Sequence, residues 1–157
     1  GKKLLFMGQE FGQLREWSEE RELDWYLLNE KPHQDLQEFV KTLLHMYTQY
    51  PALYAGDNDP DGFEWINADD AYRSIFSLVR KSPTKRNNLL FIVNFTPVDR
   101  PDYRVGVPKK KQYKLIMNEH GLVEKPEVFK AEGQECDHSE FSVSYTLPGY
   151  GVAVFTY

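Results

Sequence analysis

Apolar residues recur along this chain with different rhythms, and each rhythm predicts a different element. Leu4 to Met7 is an unbroken apolar run ended by Gly8. Such a run predicts a strand buried on both faces, as in a parallel α/β sheet. From Pro32 the rhythm becomes helical. Leu36, Phe39, Val40, Leu43, Leu44 and Tyr47 recur at every third or fourth residue, which makes one apolar stripe on an amphipathic helix. Pro32 suits the first helical turn, Asp35 and Glu38 lie toward the positive end of the dipole, and Pro51 after Tyr50 stops the helix. Beyond a turn-rich stretch, Gly56-Asp57-Asn58-Asp59-Pro60-Asp61-Gly62, the pattern is β. Phe63 to Ile66, Arg73 to Arg80, Leu89 to Phe95, Tyr103 to Val107, the alternating Tyr113, Leu115 and Met117, and Val152 to Tyr157 all predict strands. The cleanest alternation sets Phe141, Val143, Tyr145 and Leu147 against Ser142, Ser144 and Thr146, the mark of a half-buried antiparallel strand.

These elements define an organisation. Residues 1–50 read as strand, long loop and helix, one βα unit, and residues 51–62 as a linker. Residues 63–157 read as an antiparallel β-sandwich of roughly seven strands, so the fold class is mainly β. A buried parallel strand needs partners, and none is found in the rest of the sequence. With a first residue other than Met, this predicts that the chain is part of a longer protein. The sandwich core is expected to contain Phe91, Val93, Phe95, Phe141, Val143 and Tyr145. The helix stripe is expected to pack on the first strand or the β domain, with part of it exposed.

Composition narrows the function classes. The net charge is -5 over 157 residues, which argues against nucleic acid as a partner. The Lys109-Lys110-Lys111 run reads as a solvated hairpin tip. No apolar run approaches the ~20 residues of a membrane span, and no signal segment opens the chain. Cys136 is the only cysteine, so an intrachain disulfide is excluded and a reducing, cytoplasmic setting is expected. His33, His45, His120 and His138 lack metal-ligand spacing, and Cys136-Asp137-His138 is too local to wrap an ion. Neither a phosphate-binding glycine loop nor a nucleophile elbow occurs, and no cofactor is expected. Aromatic residues are abundant, at 15%. They suit a sheet-rich core or the faces of sugar rings.

The long loop after the first strand carries Glu10, Glu16 and Asp24 interleaved with Phe11, Trp17 and Trp25. Carboxylates bond sugar hydroxyls and aromatic rings stack on sugar faces, so this mixture suits a carbohydrate. The same residues also fit a purely local role, with Glu10 and Asp24 paired to Arg15 or Arg21 and the indoles packed in a core. On composition alone the local role stands ahead.

Longer blocks carry a resemblance. Gly1-Lys2-Lys3-Leu4-Leu5-Phe6-Met7-Gly8-Gln9-Glu10-Phe11-Gly12-Gln13, Arg15-Glu16-Trp17 and Leu23-Asp24-Trp25 closely resemble the last barrel strand and following loop of the bacterial glycogen (1,4-α-glucan) branching enzymes, in the α-amylase superfamily. The likeness continues through Asp59-Pro60-Asp61-Gly62-Phe63-Glu64-Trp65-Ile66, Asp69-Asp70, Ser74-Ile75, Asn94-Phe95-Thr96-Pro97-Val98 and Tyr103-Arg104-Val105-Gly106-Val107-Pro108. It ends in His138-Ser139, Ser142 and Thr146-Leu147-Pro148. The chain departs from the pattern at Tyr113, where the family usually has Trp, and from Asn118 through the loop to Asp137.

The resemblance implies an intact enzyme that cleaves an α-1,4 link and transfers the glucan segment to a 6-hydroxyl, with retention. It places the catalytic carboxylates on earlier strand ends, so no catalytic residue is expected in this chain, which would be inactive alone. It also implies that Glu10 and Trp17 line the barrel mouth as substrate-binding residues, and that the partners are α-glucan and the rest of the barrel. For the β domain two roles stay open: a structural cap, or a glucan-binding module using exposed Trp65 or tyrosines.

Overall fold

A computed structural model describes residues 2–157, which divide into two compact units, one running to Gln49 and the other spanning Tyr50–Tyr157.

In the first unit the expected strand does not form. Leu4 is 81% exposed, and Leu5, Phe6 and Met7 are exposed with it. A parallel strand is made by hydrogen bonds to neighbouring strands, and no other strand occurs among the described residues of this unit. Of the βα unit predicted for residues 1–50, the described residues show the loop and the helix and no strand. Two short 3₁₀ turns, Gln9–Phe11 and Trp25–Asn29, lead into helix α1, Lys31–Gln49. α1 ends as the sequence predicts: Tyr50 is extended, at φ -110° and ψ 101°, because proline disfavours the α region in the residue before it. Its apolar stripe packs on the two 3₁₀ turns. Val40 and Met46 are buried, while Leu36 and Leu44 remain exposed.

The second unit starts with two 3₁₀ turns, Pro51–Leu53 and Pro60–Gly62. Nine strands follow among the described residues: β1 Phe63–Asn67, β2 Ile75–Arg80, β3 Leu89–Asn94, β4 Arg100–Val107, β5 Gln112–Asn118, β6 Gly121–Leu122, β7 Val128–Lys130, β8 Phe141–Leu147 and β9 Val152–Thr156. The short β6 and β7 lie in the stretch read as loop, which accounts for the excess over seven. One sheet runs β1-β2-β3-β9-β5-β6, with β7 also on β5, and a second pairs β4 with β8. The pairings are antiparallel. Tyr103, Val105, Val107, Val143 and Leu147 of the small sheet share one core with Ile75, Val79, Leu90, Ile92, Tyr113, Leu115, Ala153 and Phe155 of the large one, which makes a sandwich. Each such fully buried aliphatic chain contributes about 1.5–3 kcal/mol of transfer free energy.

The register of β8 is the predicted one, with Val143 buried and Phe141 and Tyr145 packed against the core, but the strand is not half-buried as expected: Ser142 on the other face is fully buried, its hydroxyl donating to the Gln134 carbonyl at 2.7 Å. The register of β3 is the opposite of that expected. Leu90 and Ile92 enter the core, Phe91 and Val93 are only half-buried on the other face, and Phe95 is 63% exposed. Leu89 to Val93 is apolar throughout, so the strand carries no alternation of its own. Its pairing with β2, where Ile75, Ser77 and Val79 are the buried set, decides the face. The lysine run at 109–111 is exposed but is no hairpin tip. It crosses between sheets, because β4 pairs with β8 and β5 with β9.

Two polar devices tie loops to the sandwich. Asn94, at the end of β3, is 2% exposed. Its Nδ2 donates to the carbonyls of Val98 (2.9 Å) and Pro148 (2.8 Å). Its Oδ1 accepts from the Thr96 amide (3.0 Å) and hydroxyl (2.8 Å). At the other device, Asp137 accepts from Asn67 Nδ2 (2.7 Å) and the Gly106 amide (2.8 Å). Its backbone and that of His138 are left-handed, at φ 48° and 59°. This loop lies so close to β4 that a Cβ on Gly106 would overlap the Cys136 carbonyl.

Candidate functional site

The loop from Gly8 to Trp25 is built by a few local constraints. Gly8 and Gly12 adopt φ 89° and 71° at the two ends of the Gln9–Phe11 turn, a region that glycine enters without steric cost. The turn drives Phe11 inward, fully buried, with its ring 5.2 Å from that of Trp25. His33 of α1 holds the same turn through a 2.7 Å hydrogen bond between its Nδ1 and the Phe11 carbonyl. Gln9 Oε1 accepts from the Phe6 amide at 3.0 Å, and Trp17 meets the Phe6 ring edge-on at 5.5 Å.

Between these groups lies an open hollow of about 500 Å³, lined by Phe6, Met7, Gln9, Gly12, Gln13, Arg15, Glu16 and Trp17. Its rim combines aromatic faces, an amide, a guanidinium and a carboxylate, the groups that stack on pyranose rings and bond their hydroxyls. Of the two substrate-binding candidates, Trp17 stands in this lining, 39% exposed, and Glu10 sits half-buried in the adjacent 3₁₀ turn, outside the lining. Glu16 joins Trp17 there.

Asp24 has a different place. It is 3% exposed. Arg15 grips it with both arms of the guanidinium, Nε reaching Oδ2 at 2.8 Å and Nη2 reaching Oδ1. Of the two readings open for this carboxylate, pairing with arginine is the one observed. The hydrogen bonds from Arg15 hold the Asp24 carboxyl below its ordinary pKa, and the carboxylate in turn raises that of Arg15. Gln13 completes the arrangement. Its Oε1 accepts from the Asp24 amide at 2.9 Å, and its Nε2 donates to the Arg15 carbonyl at 3.1 Å. Gln13 carried no sequence signal for this role, since its partners lie up to eleven positions away. Among the described residues, no three His, Cys, Asp or Glu side chains are gathered to hold a metal ion.

In the β unit, the rings of Phe63, Trp65, Phe76 and Phe95 follow one another at centroid distances of 5.0, 6.4 and 5.6 Å. Trp65 is 51% exposed and Phe95 more so. The Cys136 thiol, by contrast, is pushed up to a pKa of about 11 by burial and by the neighbouring Asp137 carboxylate.

Residues 65–157 match the family model described as "Alpha amylase, C-terminal all-beta domain". The chain belongs to this family. The alpha-amylase C-terminal all-beta domain thus accounts for the sandwich, and similarity to known proteins extends beyond it. The chain is 45% identical to the 1,4-alpha-glucan branching enzyme GlgB of Butyrivibrio fibrisolvens, over 100% of this chain and 26% of that protein. It is 42% identical to the enzyme of the same name from Aquifex aeolicus (strain VF5), over 97% of this chain and 25% of that one. The chain thus spans about a quarter of the length of these curated relatives. In fold it is similar to a type I pullulanase from Bacillus subtilis str. 168, solved in complex with maltose, at a TM-score of 0.57 and 14% identity, covering 86% of this chain and 17% of that one.

Proposed function

We propose that this chain is the C-terminal portion of a 1,4-α-glucan branching enzyme, a cytoplasmic glycosyltransferase that cuts α-1,4-glucan and rejoins the segment as an α-1,6 branch. The observation that carries this reading is the 45% identity to a named branching enzyme across the whole of the chain, loop and sandwich alike. In this reading the protein works by retention. That chemistry needs a nucleophile and an acid/base carboxyl roughly 5–5.5 Å apart on either side of the scissile bond. Asp24 is engaged by Arg15, and the remaining loop carboxylates all follow a single chain segment. The catalytic pair therefore belongs to barrel strands outside this chain. Here Trp17 offers a ring to a sugar face, Glu16 and Glu10 offer acceptors to sugar hydroxyls, and the sandwich has a structural role.

Amylose incubation is the test, with iodine absorbance and chain ends counted after debranching. The full-length protein should form α-1,6 links, and the 157-residue chain should form none. Branching by the short chain would overturn the assignment of catalysis to residues outside it. Absence of branching by the full-length protein would overturn the function itself.

A second reading, that the sandwich itself binds glucan, is favoured by the exposed Trp65 in its row of rings. A maltoheptaose titration of the short chain, followed by tryptophan fluorescence with and without Trp65→Phe, separates it from a purely structural role.

A further inference from the structure

We infer that Asp24 is a positioning residue: by gripping Arg15 it holds the loop of residues 16–23 closed before any glucan arrives, so that Glu16 and Trp17 form a ready-made edge of the hollow. The naming of glucan as the ligand rests on the function proposed above; the closure of the loop does not.

Several bonds converge on the base of this loop. Arg15 immediately precedes it and Asp24 immediately follows it, and their forked contact closes the ring. Gln13 bridges the same two residues through independent groups, the Asp24 amide and the Arg15 carbonyl. Within the loop, Arg21 donates through Nη2 to the Glu16 carbonyl. Trp17 then rests edge-on against Phe6 on the opposite wall. The burial of Asp24 points the same way. A carboxylate 3% exposed is costly unless its oxygens are filled, and the arginine fork fills both with defined geometry. An eight-residue loop left open would have to be ordered at each binding event. Closing it in advance removes that entropic cost from glucan binding. A lysine at position 15 keeps the charge but lacks the fork.

The test has two arms. In the first, amide hydrogen exchange is measured on the 157-residue chain and on its Asp24→Asn and Arg15→Lys variants. Exchange at the hydrogen-bonded amides of Glu20, Asp24 and Trp25 should speed up about tenfold in Asp24→Asn and less in Arg15→Lys, with β2, β3 and β9 unchanged. In the second arm, the full-length protein carrying Asp24→Asn should show a KM for amylose raised about tenfold at unaltered kcat, because pre-ordering serves binding and not chemistry. Unchanged loop exchange in both variants overturns the inference, as does a fall in kcat at constant KM. If Asp24→Asn fails to fold, Asp24→Glu, which keeps the charge but displaces the carboxylate from the fork, takes its place in both arms, and Arg15→Lys is read by exchange alone because Arg15 itself lines the hollow. A wild-type full-length protein without branching activity sinks the proposed function and leaves hydrogen exchange to decide the role of Asp24.

Discussion

Asn94→Asp should cost the sandwich about 3–5 kcal/mol at neutral pH, although it changes one NH₂ into one oxygen. All the hydrogen-bonding capacity of the Asn94 amide is spent: two N–H donors on the Val98 and Pro148 carbonyls, and one oxygen on the Thr96 amide and hydroxyl. In the aspartate the acceptor side survives. The donor side becomes an oxygen facing two carbonyl oxygens previously 2.9 and 2.8 Å from the nitrogen. Each buried acceptor stripped of its donor costs about 1–3 kcal/mol, and two are stripped here. The residue is 2% exposed, so water is poorly placed to replace them. The carbonyls and burial both disfavour the anion, so the variant's folded carboxyl pKa is raised above its unfolded value of ~3.9. A protonated acid can donate to one of the two carbonyls. The variant's deficit is therefore smallest below the unfolded pKa and grows as pH rises through the raised folded pKa, after which it is constant. Urea unfolding followed by far-UV circular dichroism, at about pH 4 and about pH 7.5, measures this as a difference from the parent at each pH. Asn94→Leu serves as the control, destabilised at both pH values without that dependence. A deficit below about 1 kcal/mol at neutral pH, or one equal at both pH values, would refute the reasoning.

One substitution and one labelling measurement probe the other polar device and its neighbour. Gly106→Ala should cost about 2 kcal/mol or more in a thermal melt, because the new methyl would drive the Cys136–Asp137 backbone off β4; an unchanged melting temperature would show that this loop yields freely. The Cys136 thiol, pushed up to about 11, should react with a disulfide reagent far more slowly than a free thiol near pH 8, its rate climbing only as pH approaches that value and jumping when urea unfolds the chain; rapid labelling of the folded chain would count against the burial.

What the chain determines by itself is whatever depends on neighbours in sequence. α1 was legible because a helix bonds within itself and its stripe repeats every third or fourth residue, from Leu36 to Tyr47. The stop at Pro51 is likewise a local steric fact. β8 was legible because serines alternate with Phe141, Val143 and Tyr145, which marks the core face; that Ser142 on the other face is buried as well was decided by the loop that brings the Gln134 carbonyl to it. The loop's mixture of carboxylates and indoles marked it as a candidate site for the same reason: residue types are visible without a fold. The tertiary structure decided the rest. β3 has no alternation between Leu89 and Val93, and its core face was set by the strand it pairs with. Leu4 to Met7 has the composition of a buried strand, yet a strand's hydrogen bonds belong to its partners, and the described residues of its unit supply none. The partner of Asp24 could be listed from the sequence as one arginine of two. Only the fold brings Arg15 to it and sets Gln13 across both, because side chains nine and eleven positions apart in an irregular loop meet at distances that no periodicity prescribes.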